Sequence, residues 1–139
     1  MTIVDGREQS GSTLVTVRGT NLDAAVAPLL RLAAARGLGI GPTLIVDLTA
    51  VEFADTSGIG VLCVLSREAG PGAMALVGVS FRLRQILARI PPQRLPAIYD
   101  SVDDALIAFD SLEPSRALSL TFVRTLNDTL LTSDYASHA

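Results

Sequence analysis

The sequence predicts an α/β fold in which an N-terminal hairpin and then parallel strands form one mixed sheet, flanked by about four helices. From residue 43 onward, short continuous apolar runs alternate with stretches whose apolar residues recur at helical spacing. This alternation is typical of parallel strands joined by helical crossovers. Before residue 43, two β-type segments flank a Ser-Gly-Ser turn, which favours a hairpin. We assign residues 1–110 to this one domain.

Two short strands are predicted in the N-terminal part of the domain. They are expected at residues 2–4 and 14–18, where Val15 and Val17 alternate with polar residues. The turn between them is expected at residues 10–12.

A first helix is predicted from about residue 25 to residue 36. Pro28 suits its first turn, where a missing backbone N–H does no harm. The glycine-rich stretch 37–42 ends the helix. The face expected to be buried consists of Val26, Leu29, Leu30 and Ala33.

The remaining elements follow from apolar runs and helical stripes. The strands are expected at residues 43–48, 73–79 and 97–99, and the helices at about residues 57–68, 83–90 and 102–109. Pro91 and Pro92 end the second of these helices. Ser101 is the expected N-cap of the last helix, and its expected buried face consists of Val102, Ala105, Leu106 and Phe109.

Residues 111–139 form a C-terminal extension of different character. Leu118, Phe122, Leu126 and Leu130 recur at every fourth position among many Ser and Thr residues. We interpret this pattern as a marginal helix that docks on the domain, with a partner-facing amphipathic segment as the other interpretation. The final residues, 133–139, are expected to be disordered.

The composition argues against most enzyme classes. All eleven basic residues are Arg, so the Lys of a P-loop, of a protein kinase or of a pyridoxal enzyme is missing. The single His138 lies one residue from the C-terminal end of the sequence, and one His with one Cys makes a zinc site of the usual ligands improbable. We therefore expect a protein that is not an enzyme and that holds no cofactor or metal.

Charge and hydropathy also bear on partners and location. The net charge of −3 gives no reason to expect a nucleic-acid partner, which favours a basic surface. No apolar run approaches ~18 residues, so no membrane insertion is expected. The N-terminal residues lack the basic and apolar regions of a signal peptide, and a lone Cys63 cannot form an internal disulfide. A cytoplasmic protein is expected.

The turn Asp55-Thr56-Ser57-Gly58 is the candidate functional site. Its ordinary explanation is a helix N-cap, because Asp, Ser and Thr oxygens satisfy free backbone N–H groups. Gly58 and Gly60 cost a helix about 1 kcal/mol each relative to Ala, which suggests that a close surface approach is needed there. The following helix also carries more apolar residues than one buried face requires, which indicates a docking surface.

This region closely resembles the signature of the anti-sigma-factor antagonist, or STAS, family. The matching residues are IVDL at 45–48 and VEFADTSGIGVL at 51–62, and that family's pattern is a strand, Asp-Ser/Thr-Ser-Gly and an apolar helix. Gly19 with LDAA at 22–25, LVGVS at 76–80 and IYDSVDDAL at 98–106 resemble flanking parts of the family. The resemblance covers about residues 2–110 and implies a STAS-type mixed sheet.

The resemblance also implies a function and a site. It implies an anti-sigma-factor antagonist that binds a partner anti-sigma factor with serine kinase activity and thereby regulates sigma-dependent transcription. The implied phosphorylation site is Ser57, with Thr56 as the alternative, and phosphorylation would prevent binding. The implied partner-binding residues are Asp23, Asp55, Thr56, Ser57, Gly58, Ile59 and Gly60.

Two other functions stay open at this point. One is a constitutive STAS accessory subunit of a phospholipid-trafficking ABC transporter, in which Thr56 would make contacts rather than be modified. The other is a small-ligand sensor or enzyme that uses the carboxylates of Asp23, Asp47 and Asp55. The sequence predicts no oligomeric state.

Overall fold

A computed structural model describes residues 4–9, 11–38 and 43–110 of the chain. In chain order the elements are β1 (Val4–Gln9), β2 (Ser12–Val17), β3 (Asn21–Leu22), α1 (Ala27–Leu38), β4 (Leu44–Asp47), β5 (Phe53–Ala54), α2 (Thr56–Ala69), β6 (Met74–Val77), α3 (Phe81–Leu87), a short 3-10 helix (Pro92–Arg94), β7 (Ala97–Tyr99) and α4 (Val102–Asp110). The predicted α/β class, with a mixed sheet and four helices, is confirmed.

The main sheet has five strands in the order β1-β2-β4-β6-β7. β1 and β2 form the predicted antiparallel hairpin, and β2, β4, β6 and β7 run parallel to one another. The hairpin bounds differ from the prediction, since β1 extends to Gln9 and β2 begins at Ser12. The register pairs Val4 with Val17 and Gln9 with Ser12, so the two strands are equally long. Gly11, which has a positive φ of 83°, lies in the tight turn between them.

Helices cover both faces of this sheet. α1, α2 and α3 pack on one face around a large apolar cluster that includes Val15, Leu30, Val46, Leu62 and Leu83. α4 covers β4, β6 and β7 on the other face, where Ala105 packs with Ile45 and Val77. The strands β4 and β6 are therefore buried on both sides, as continuous apolar runs predict.

The prediction of which residues α1 buries is partly wrong. Leu29 is 48% exposed, and the residues that α1 and the turn before it bury fully are Val26, Leu30 and Ala34. These three recur at every fourth position, so the helix lies on the sheet along a narrower stripe than the one expected.

Three short elements of the described structure were not predicted. They are the 3-10 helix and the two-residue strands β3 and β5, which pair in parallel as a separate small sheet. In this sheet Asn21 pairs with Phe53 and Leu22 pairs with Ala54. Two residues are too few for a period to appear in the sequence. Their pairing nevertheless joins the loop before α1 to the loop before α2.

The predictions made for residues 1–3 and 111–139 lie outside the described residues. Within the described part, no helix is both long and apolar enough to cross a bilayer.

Candidate functional site

The candidate site lies where the parallel strands reach their carboxyl ends. There the loop after β2, the loop after β4 and the turn after β6 lie side by side. The Glu52 N–H donates to the Thr20 carbonyl oxygen at 2.8 Å, and the Ser80 hydroxyl donates to the Val51 carbonyl oxygen at 3.4 Å. Ligand sites of open parallel sheets are commonly found at this edge.

Asp55 is the N-cap of α2. Its backbone is extended, and its Oδ1 accepts a hydrogen bond from the Gly58 N–H at 3.0 Å. The sequence left open which residue of the turn caps the helix. Because Asp55 does so, the hydroxyls of Thr56 and Ser57 are not needed for capping, and both residues are exposed in the first turn.

Asp23 holds the matching position in front of α1. Its Oδ1 accepts hydrogen bonds from the Ala25 N–H at 3.1 Å and from the Val26 N–H at 3.3 Å. The β3–β5 pairing places this turn next to the turn before α2, since the Asp55 N–H donates to the Leu22 carbonyl oxygen at 3.2 Å. Two carboxylates thus lie beside the exposed hydroxyl of Ser57, each half-buried and each in front of a helix.

Gly58 has an internal role that differs from the expected one. Gly58 is buried, and a Cβ placed on it would lie 2.1 Å from the Leu22 carbonyl oxygen. The close approach is therefore made by the chain itself, between α2 and β3. Gly60 is exposed and has open space around its Cβ position, so the fold does not explain this glycine.

The exposed side of α2 borders an open groove of about 790 Å³. The groove separates α2 from the segment that contains the 3-10 helix, and its lining includes Thr56, Ile59, Gly60, Cys63, Pro92 and Leu95. Ser57 is not part of this lining, because each residue of an α-helix is rotated by about 100° from the one before it. Three of the predicted partner-binding residues therefore face the groove, while Ser57 lies beside it.

The third carboxylate considered in the sequence, Asp47, has a local structural role. Its Oδ1 accepts hydrogen bonds from the Thr49 N–H at 2.9 Å and from the Thr49 hydroxyl at 2.5 Å. The carboxylates of Asp23, Asp47 and Asp55 therefore each accept hydrogen bonds that stabilise a local turn or helix start. Among the described residues, no three His, Cys, Asp or Glu side chains gather as a metal ion would require.

Two aromatic residues near this edge are exposed, which was not predicted. Phe53 lies in β5, and its side chain is 49% exposed because β5 buries only Ala54. Phe81 is 77% exposed at the start of α3, directly after the N-cap Ser80. The buried stripe of α3 begins at Leu83, and Phe81 lies off that stripe, which is the signal that could have identified it.

The cap at Asp55 leads to a first testable prediction. Replacement by Ala is expected to lower the free energy of unfolding by about 1 kcal/mol, because the Gly58 N–H loses its acceptor. Asp55→Asn keeps an acceptor oxygen and is expected to cost less. Urea denaturation of the two variants measures the difference, and equal losses would show that the capping bond is not what Asp55 contributes.

Comparison with known proteins agrees with this geometry. The family model of the STAS domain matches residues 4–105. No curated protein sequence matches the chain. An anti-sigma factor antagonist from Mycobacterium paratuberculosis has a similar structure, with 25% identity and a TM-score of 0.69 over 80% of this chain and 96% of that chain.

Two further structures are similar in fold. The anti-sigma factor antagonist SpoIIAA in its unphosphorylated form is 21% identical, with a TM-score of 0.55 over 76% of this chain and 94% of that chain. The murine anion transporter Slc26a9 is 24% identical, with a TM-score of 0.61 over 76% of this chain but only 18% of that chain. The match to the family model spans most of the described residues, and we conclude that the chain belongs to the STAS domain family.

Proposed function

We propose that this protein is an anti-sigma factor antagonist that binds an anti-sigma factor with serine kinase activity and is switched off by phosphorylation of Ser57. The observation that carries the proposal is the exposed hydroxyl of Ser57 in the first turn of α2, in a helix that Asp55 already caps. A similar structure is that of an anti-sigma factor antagonist, and the two chains correspond over nearly their full domains. In this role the protein regulates sigma-dependent transcription from the cytoplasm and performs no chemistry itself.

Phosphorylation at this position would change the surface without unfolding the helix. A phosphate adds about −1.5 to −2 charges at neutral pH. The free N–H groups and the dipole at the start of α2 favour an anion there. Asp55 and Asp23 lie close by, however, so the added charge concentrates negative potential where the partner would dock. The loss of binding then comes from repulsion and from the cost of removing water from the phosphate.

The test is reconstitution with purified anti-sigma factor kinases from the same organism, one at a time, with ATP. Phosphopeptide mapping of the wild-type protein is expected to place one phosphate on Ser57. Thr56→Ala, the matched control from the neighbouring position, is expected to carry its phosphate on Ser57 still, whereas Ser57→Ala is expected to carry none. Modification of Thr56 in place of Ser57 would support the switch but move its site by one residue.

Binding measurements complete the test. The Ser57→Asp variant is expected to bind the kinase about tenfold or more weakly than the Ser57→Ala variant does. This difference is in line with coupling free energies of about 1–3 kcal/mol. Equal affinities of these two variants would contradict the proposal.

The accessory subunit of a phospholipid-trafficking ABC transporter stays the alternative. The similarity to an anion transporter is below 25% identity and concerns the fold alone. A permanent complex with an ATPase, formed without any phosphopeptide, would favour this alternative over the switch.

A further inference from the structure

Two large aromatic side chains remain exposed on β5 and α3. Phe53 is 49% exposed and Phe81 is 77% exposed, and we call this pair the aromatic patch. The two residues belong to elements that the structure joins, since α3 lies against β5 and the Ser80 hydroxyl donates to the Val51 carbonyl oxygen. Phe53 is also only four positions before Ser57 in the sequence.

The fold itself does not account for the aromatic patch. In β5 the neighbouring Ala54 supplies the buried contact, and in α3 the buried contacts come from Leu83 and Leu87. Single exposed apolar residues are ordinary on protein surfaces, but apolar groups that lie on adjoining elements beside a polar site mark interaction surfaces. Aromatic residues are also enriched among the few side chains that dominate binding at protein interfaces.

The charges around the patch indicate the chemistry of what binds there. No basic residue occurs in the sequence between Arg36 and Arg67, whereas Glu52 and Asp55 flank Phe53. Glu52 is exposed, and the hydrogen bond from its N–H to the Thr20 carbonyl oxygen holds it near the loop that leads to Asp23. On the α3 side a basic residue, Arg82, follows Phe81. The acidic residues therefore lie on the β5 side of the aromatic patch.

We propose that the aromatic patch supplies the apolar anchors of the surface on which the partner kinase docks, an inference that rests on the proposed function. The partner then presents an apolar pocket for Phe53 and Phe81, bordered by Arg or Lys side chains that face Glu52 and Asp55. The patch extends the docking surface from α2 across β5 to α3, beyond the residues of the Ser57 turn. A phosphate on Ser57 places negative charge and bound water next to Phe53. It therefore opposes the desolvation of this surface that binding of the kinase requires.

The roles of the two kinds of residue can be separated by kinetics. Packed anchors act mainly on the dissociation rate, whereas charges at the rim act on the association rate and its salt dependence. Phe81→Ala is therefore expected to weaken binding of the kinase about tenfold or more, through faster dissociation. Phe53→Thr, which keeps the strand propensity of β5, is expected to have the same kind of effect. Glu52→Gln is expected to slow association and to reduce its dependence on salt.

The experiment is surface plasmon resonance with the purified kinase that phosphorylates the wild-type protein, at low and high salt. Leu32→Ala is the matched control, because Leu32 is 51% exposed on α1, a helix that packs mainly against β1, β2, β4 and α2. Its binding is expected to equal that of the wild type. Circular dichroism and thermal denaturation verify that each variant is folded, and Phe81→Leu provides a second test of Phe81 that keeps an apolar side chain.

The outcomes separate this inference from the proposed function. If the two Phe variants bind like the wild type while Ser57 is still phosphorylated, the inference is overturned and the proposed function stands. If these variants instead dissociate a homodimer and leave kinase binding unchanged, the patch is a contact between two copies, and the inference is also overturned. If no kinase of the set binds the wild type, both proposals fail.

Discussion

Replacement of Gly58 by Ala is expected to lower the free energy of unfolding by about 3 kcal/mol or more, at the upper end of the cost of overpacking. The new Cβ would lie 2.1 Å from the Leu22 carbonyl oxygen and 2.8 Å from the Leu22 carbonyl carbon. Both atoms belong to the backbone, so no side chain can rotate away to relieve the contact. The same oxygen accepts the hydrogen bond from the Asp55 N–H, and any shift of it disturbs the β3–β5 pairing.

Gly60→Ala is the matched control for this prediction. It introduces the same methyl group two residues later in the same helix, where nothing lies within 4 Å. Here Ala is expected to raise the free energy of unfolding by up to about 1 kcal/mol, since glycine is a poor helix former. Urea denaturation of both variants measures the contrast. Losses of similar size at the two positions would contradict the packing explanation of Gly58.

The second large effect is expected for Gly78→Ala. Gly78 has a φ of +68°, a conformation that costs a residue with a side chain about 1–2 kcal/mol. Its Cβ would in addition lie 2.0 Å from the Thr49 Oγ1, the hydroxyl oxygen that also hydrogen-bonds to Asp47. We expect a total loss of about 3 kcal/mol when overpacking is added to the backbone strain.

A double-mutant cycle separates the two causes. Thr49→Ala removes the hydroxyl and is expected to cost about 1 kcal/mol by itself through the lost hydrogen bond. In that background Gly78→Ala is expected to cost about 1 kcal/mol less than in the wild type, because only the backbone strain and the milder contact with the Thr49 Cβ remain. An identical cost in both backgrounds would assign the whole effect to the backbone.

Most of the fold could be predicted from the sequence, because the longer elements carry strong periodic patterns. The continuous apolar runs of β4 and β6 are explained by helices on both faces, and the helix predicted at about residues 83–90 buries Leu83 and Leu87. Ser101 caps α4 as predicted, since its Oγ accepts a hydrogen bond from the Asp104 N–H at 3.1 Å. These features depend on residues close in sequence, which is where pattern reasoning is strongest.

What could not be predicted depends on contacts between distant parts of the chain. The pairing of Leu22 with Ala54 joins residues 32 positions apart and leaves no periodic signal. The internal role of Gly58 follows from that pairing, so the sequence showed the cost of the glycine but not its cause. The exposure of Phe53 was missed for the same reason, since an aromatic residue in a strand is ordinarily a packing residue.

The buried position of Gly58 also bears on which substitutions this chain tolerates. The glycine of the Asp-Thr-Ser-Gly sequence is required by the fold, whereas Ser57 is exposed and its hydroxyl is not required for the helix cap. A descendant of this chain can therefore lose the Ser57 hydroxyl by a single substitution and keep the helix cap, while loss of the glycine disrupts the contact between α2 and β3. The two neighbouring residues are thus under different constraints, because packing inside the fold limits what can replace Gly58, whereas Ser57 is limited only by what the exposed surface contacts.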